Sequence, residues 1–70
     1  MRIIVLNYGN STVEVVPMDR IAINQHNMGE FNCDEYLTKK GFHTSECNWM
    51  VVDQPTPVYE YGQVIPFTNI

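Results

Sequence analysis

Two apolar, β-branched runs flank a turn near the N-terminus, and they limit what the rest of the chain can do. Residues 2 to 8, Arg-Ile-Ile-Val-Leu-Asn-Tyr, contain no helix breaker and read as a strand covered on both faces near its middle. Gly9-Asn10-Ser11 is turn chemistry, because glycine and asparagine adopt positive φ at little cost. Thr12-Val13-Glu14-Val15-Val16 resumes a strand, with Val13 and Val15 pointing one way and Thr12 and Glu14 the other. Pro17 ends it, since proline cannot donate to a ladder. The pattern is a β-hairpin. A hairpin alone is marginal in water, so the remaining residues must supply a third strand, a helical cover, or both.

The helical cover is signalled at both of its ends. Asn32 is a favoured N-cap, and Glu35 three residues later completes an asparagine variant of the capping box. Asp34 and Glu35 bring negative charge to the first turn, and Lys39 and Lys40 positive charge to the last, each matched to the helix dipole. Phe31 before the cap is placed to pack on Tyr36 as a hydrophobic staple. Gly41 sits at the position after the C-cap, and Phe42 can then contact Leu37 in a Schellman ending. A helix of about two turns depends on tertiary packing, here of Tyr36, Leu37 and the two phenylalanines.

Residues 18–31 carry weaker signals. Ile21 and Ile23 alternate, while Asn24-Gln25-His26-Asn27-Met28-Gly29 is polar and broken by glycine, so this stretch reads as a loop with a short strand at 20–23. After the helix, Asn48-Trp49-Met50-Val51-Val52-Asp53 is the return strand. Gln54-Pro55-Thr56-Pro57 interrupts regular structure. Val58 to Phe67 fits a second hairpin, with Gly62-Gln63 as a II′ turn and Pro66 marking an edge; the alternative is an extended tail over the sheet or a neighbouring subunit. The expected fold class is therefore α+β: a small antiparallel sheet, in the order β-β-α-β with a C-terminal hairpin, packed on one short helix. Residues 1–53 form the core domain in this reading, and 54–70 an edge hairpin or dimer-contacting extension.

Size and charge narrow the function classes. Seventy residues allow one domain, and a chain of that length buries only roughly 60% of its unfolded surface, so a second subunit or a metal often adds stability. Charged residues make up 17%, below the usual level of about 25%, and polarity comes largely from seven asparagines. The net charge is −4, and the four cations Arg2, Arg20, Lys39 and Lys40 are too few and scattered for phosphate contacts, which argues against nucleic acid as a partner. The longest apolar run, Ile3 to Leu6, is too short for a membrane span or a secretory core, so the expectation is a cytoplasmic protein with Cys33 and Cys47 as reduced thiols.

The order of hairpin, short helix, Gly-Phe and then the Cys-Asn-Trp-Met-Val-Val-Asp strand resembles a group of short proteins of Bacteroides-type bacteria. The resemblance spans residues 1–9 and 36–53. It implies the order of elements and a bacterial setting, and it brings no activity and no site residue.

Three constellations carry possible chemistry. His26, Cys33, His43 and Cys47 are the right donor types for tetrahedral zinc, although only His43-x3-Cys47 has a chelating spacing and no Cys-x2-Cys knuckle is present; the alternative is two surface histidines and two small apolar thiols. A Cys33–Cys47 disulfide competes with free thiols, which a reducing compartment favours. Cys33 at the first helical position has the dipole on its side and Asp34 and Glu35 against it, and a cysteine enzyme would also need His26 or His43 as base. No phosphate loop, nucleophile elbow or zinc-protease motif occurs. The leading expectation is thus a non-catalytic protein-interaction or regulatory module, binding a protein partner or itself as a homodimer, with no cofactor. Trp49, Tyr59, Tyr61 and Phe67 are its expected contact residues, because tyrosine and tryptophan with few charges are typical of interface centres. A zinc-stabilised domain and a cysteine enzyme are the alternatives.

Overall fold

The computed structural model describes residues 1–53 and 55–70; the side chains of Glu60 and of residues 64–69 lie outside that description. The N-terminal hairpin is formed by β1 (Arg2–Asn7) and β2 (Thr12–Pro17), paired antiparallel with Ile4 opposite Val15 and Asn7 opposite Thr12. Asn7 organises the turn. Its Oδ1 accepts from the Asn10 backbone N–H at 3.2 Å, and its Nδ2 donates to Glu14 at 3.1 Å, so this buried amide is satisfied on both sides. The return strand β3 (Cys47–Val52) pairs antiparallel on the other side of β1, giving the order β2-β1-β3. The expected antiparallel α+β architecture is present, with β1 as the central strand.

Two helices, not one, cover the sheet. α1 (Arg20–Asn27) occupies the stretch expected to be a loop with a short strand. Its start is the Asp19 side chain, which accepts from the Ala22 N–H at 2.8 Å. Its end is a Schellman motif: Glu30 N–H bonds the Gln25 carbonyl at 2.8 Å and Gly29 N–H that of His26 at 3.1 Å, with Gly29 at φ +73°. The alternation of Ile21 and Ile23 was misleading because only one side of this short helix is used. Ala22 is buried and Ile23 partly so, whereas Ile21 is 72% exposed.

α2 (Cys33–Lys39) matches its sequence signals. The Asn32 side chain accepts from Glu35 N–H at 3.0 Å, a bond worth about 1 kcal/mol to a helix this short. The Glu35 carboxylate turns forward to Lys39 at 2.9 Å. Phe31 meets Tyr36 edge-on at 5.4 Å between centroids. At the other end Phe42 N–H bonds the Leu37 carbonyl at 3.1 Å and Gly41 N–H that of Thr38 at 3.0 Å, with Gly41 at φ +99°. Both helices therefore close with the same glycine-dependent motif, and an L side chain at either glycine would be strained.

The core lies between the helices and one face of the sheet. Ile3, Val5, Val16, Met18, Ala22, Leu37 and Cys47 form it, with Trp49, Val51, Tyr36, Phe31 and Phe42 packed around them. Each large apolar side chain fully buried here contributes about 1.5–3 kcal/mol. A 3-10 turn over Thr44–Glu46 leads from α2 into β3, and the Glu46 carbonyl accepts from Tyr8 N–H at 2.8 Å, tying the hairpin turn to the return strand.

The C-terminal segment forms a second, separate two-stranded sheet of β4 (Pro57–Glu60) and β5 (Gln63–Asn69). Its turn is centred on Tyr61 and Gly62, with φ of +39° and +90°, one residue earlier than the II′ placement at Gly62-Gln63. Two positive φ values at the central positions match the I′ geometry that hairpin twist favours.

Candidate protein-binding face

Side-chain alternation along β1 separates the sheet into two unlike faces. Ile3, Val5 and Asn7 point to the helices together with their cross-strand partners Val16, Val51, Trp49 and Cys47. Ile4 and Leu6 point away, together with Val13, Val15, Asn48 and Met50. No helix covers that second face among the described residues. Leu6 is 42% exposed, Val13 54%, Val15 42% and Met50 48%, while Ile4 at their centre is only 3% exposed. These four side chains are contiguous, since Val15 and Met50 flank Ile4 and Val13 and Asn48 flank Leu6.

The far end of the face is organised by polar contact. Asn48 Nδ2 donates to the Tyr8 hydroxyl at 2.7 Å across the β1–β3 boundary. Near the middle, Ile70 joins Ile4, Leu6, Asn48, Trp49 and Met50 in lining a groove of about 210 Å³ that is almost wholly apolar. Ile70 is held by a reciprocal backbone pair with Thr56, 2.6 and 2.7 Å. The C-terminal segment thus covers one part of the face and leaves the β2 side open. Exposed aliphatic groups gathered in one patch mark contact surfaces, whereas scattered ones carry no such meaning.

The aromatic residues expected to make contacts are placed differently. Trp49 has the parity of Val51 and Cys47, so it packs half-buried on the helix side. Tyr59 is exposed on β4. Tyr61 is fully exposed in the turn, so its expected shared strand face with Tyr59 ends at Glu60. The side chain of Phe67 lies outside the described residues. What the sequence reading missed is Leu6 and Met50; the parity of Val13 and Val15 was the signal that led toward them.

The donor quartet is spread over the fold. His26 is in the last turn of α1, against the edge of Phe31 at 6.3 Å; Cys33 opens α2; His43 and Cys47 flank the 3-10 turn. No group of three or more His, Cys, Asp or Glu side chains fit to hold a metal ion occurs among the described residues. A cleft of about 430 Å³ beside Val51, Val52 and Pro55 is lined by His26, but not by His43 or either cysteine.

Both cysteines are free thiols. Burial, then the Asp34 carboxylate, pushes Cys33 above the ordinary 9.0. Burial, then Glu14, then Glu46, pushes Cys47 the same way, and the Cys47 thiol donates to the His43 carbonyl at 3.4 Å. Such thiols are poor nucleophiles. They also set a pH dependence. Above the ordinary value the unfolded chain has released protons that the folded chain still holds, so rising pH favours unfolding. The denaturation midpoint should hold steady up to about pH 8 and fall from about pH 9 upward. A Cys33→Ser, Cys47→Ala variant should show a flatter alkaline limb, and an unchanged limb would remove the thiols as its cause.

Among the described residues, no helix is long and apolar enough to cross a membrane. Compared with protein-family models, with curated proteins and with solved structures, the chain matches none.

Proposed function

We propose that this chain is a non-catalytic protein-binding module whose contact surface is the open face of its three-stranded sheet. The observation that carries this reading is the contiguous group Leu6, Val13, Val15 and Met50, each between 42% and 54% exposed around a buried Ile4. A 70-residue chain has little apolar surface to spare from its core, so leaving four such side chains together in water is a cost that binding recovers. The low charge density favours the same reading, because interface centres are depleted in charge. The free thiols fit a reducing compartment, and the reading places the chain in the cytoplasm.

A photo-crosslinking residue at Val13 or Met50, expressed in the cells that make the protein, should give one discrete, saturable adduct. The same residue at Ile21, more exposed but on α1, should give none. Equal adducts from all three positions, or none from Val13 and Met50, would overturn the proposal.

A further inference from the structure

Residues 55–70 lie against the main sheet without being part of it. Among the described residues β4 and β5 pair only with each other, so no ladder hydrogen bond ties them to β2-β1-β3. Where the segment begins, Pro55 and Pro57 face Met1 and Val52 across a cleft of about 430 Å³, and Pro55 faces Met1 and Pro17 across a second of about 220 Å³. Integral parts of a fold are close-packed, with few voids larger than a water molecule, so this end is loosely seated. At its other end the segment meets the apolar groove through Ile70, which is half-buried. Ile4 in that groove is 3% exposed, although its cross-strand partners Val15 and Met50 lie beside it rather than above it and are themselves 42% and 48% exposed. Ile70 is the groove residue that comes from outside β1 and β3, and it supplies the cover. The reciprocal backbone pair of Ile70 with Thr56 is internal to the segment, so it keeps Ile70 on the second sheet wherever that sheet goes.

We infer that residues 55–70 are a strap that swings off the sheet as a unit, with Ile70 as its latch, and that the closed strap competes with the protein partner for Ile4, Leu6 and Met50. The competition rests on the binding function proposed above; the swing does not. Opening breaks no strand pairing, because the second sheet carries its own ladder with it. What opposes opening is the apolar contact of one half-buried isoleucine, which favours the closed position by roughly tenfold. A partner that needs the whole face then binds about tenfold more weakly than the uncovered face would allow, since only the open fraction is competent. Val13 and Val15, on the β2 side, stay uncovered in the closed position and offer the partner its first contact.

The swing is measured in the full chain by the distance between two spin labels. Ile21→Cys and Tyr61→Cys, both at exposed positions, carry them in a Cys33→Ser, Cys47→Ala background. With Ile70 present the pair should give one dominant distance. Ile70→Asp should add a second, displaced population and lower the closed-to-open ratio by about tenfold. Ile70→Leu, which keeps an apolar latch, should retain the single distance. In the otherwise unaltered chain, Ile70→Asp should raise the yield of the Val13 photo-adduct at limiting expression, again by up to about tenfold. One unchanged distance in Ile70→Asp would overturn the inference. So would a fall in its urea midpoint as large as that of Ile3→Ala, which would make the segment part of the core. A second distance with an unchanged Val13 adduct would overturn the competition. A second distance with no Val13 adduct from either chain would sink the binding function and leave the strap.

Discussion

Leu37→Ala should lower the thermal midpoint by about 15–25 °C, enough to leave a measurable unfolded population at physiological temperature. Leu37 is fully buried and is the one buried residue of α2. Removing its branched end takes away the contact that holds this short helix on the sheet. The cavity left behind is bounded by β-branched strand residues with little freedom to collapse inward. Leucine-to-alanine changes at such sites cost about 3–5 kcal/mol, against a total of about 4–10 kcal/mol for a domain of this length. The local capping bonds survive the substitution, because they are made by the Asn32 side chain and by the Leu37 carbonyl. Far-ultraviolet circular dichroism melting, with Thr38→Ala as an exposed neighbouring control, gives the measurement. A drop no larger than the control's would mean that capping, not packing, holds α2.

The contrast between the two helices shows which parts of this fold are legible in sequence. α2 is written in short-range chemistry: a cap, a staple, matched end charges, and Gly-Phe after the last turn. Each signal involves residues within five positions of one another, so none depends on the rest of the fold. α1 has the same kinds of punctuation, Asp19 at its start and Gly29 at its end, but the residues between them point elsewhere. Isoleucine, asparagine and histidine are weak helix formers, and its buried stripe is little more than Ala22 and part of Ile23. The sheet's need for a second cover decides that segment, and this need is visible only once the sheet exists. The binding face suffers from the same dependence. The sequence placed Val13 and Val15 on one side of their strand, as observed, yet which side the helices take is a tertiary fact. Chemical type then drew attention to Trp49, whose strand parity sends it to the helix side, while the aliphatic Leu6 and Met50 carry the exposed surface.

That two-faced sheet can be tested within a single strand. Ile3 and Leu6 are three residues apart on β1 and point to opposite faces. Ile3 is fully buried between Val16 and Val51 on the helix side, so Ile3→Ala should cost about 2–5 kcal/mol. Leu6 has already kept 42% of its surface in water, and its truncation opens no closed cavity. Leu6→Ala should therefore cost about 1 kcal/mol or less, the transfer energy of the part that is buried. Urea midpoints at low protein concentration separate the two, provided the slopes of the transitions stay equal, because a changed slope signals a changed surface rather than a changed stability. Comparable losses at both positions would mean that the Leu6 face is covered in solution, and dilution then identifies the cover. A loss at Leu6 that fades on dilution assigns it to a second copy, and one that persists assigns it to the segment ending in Ile70.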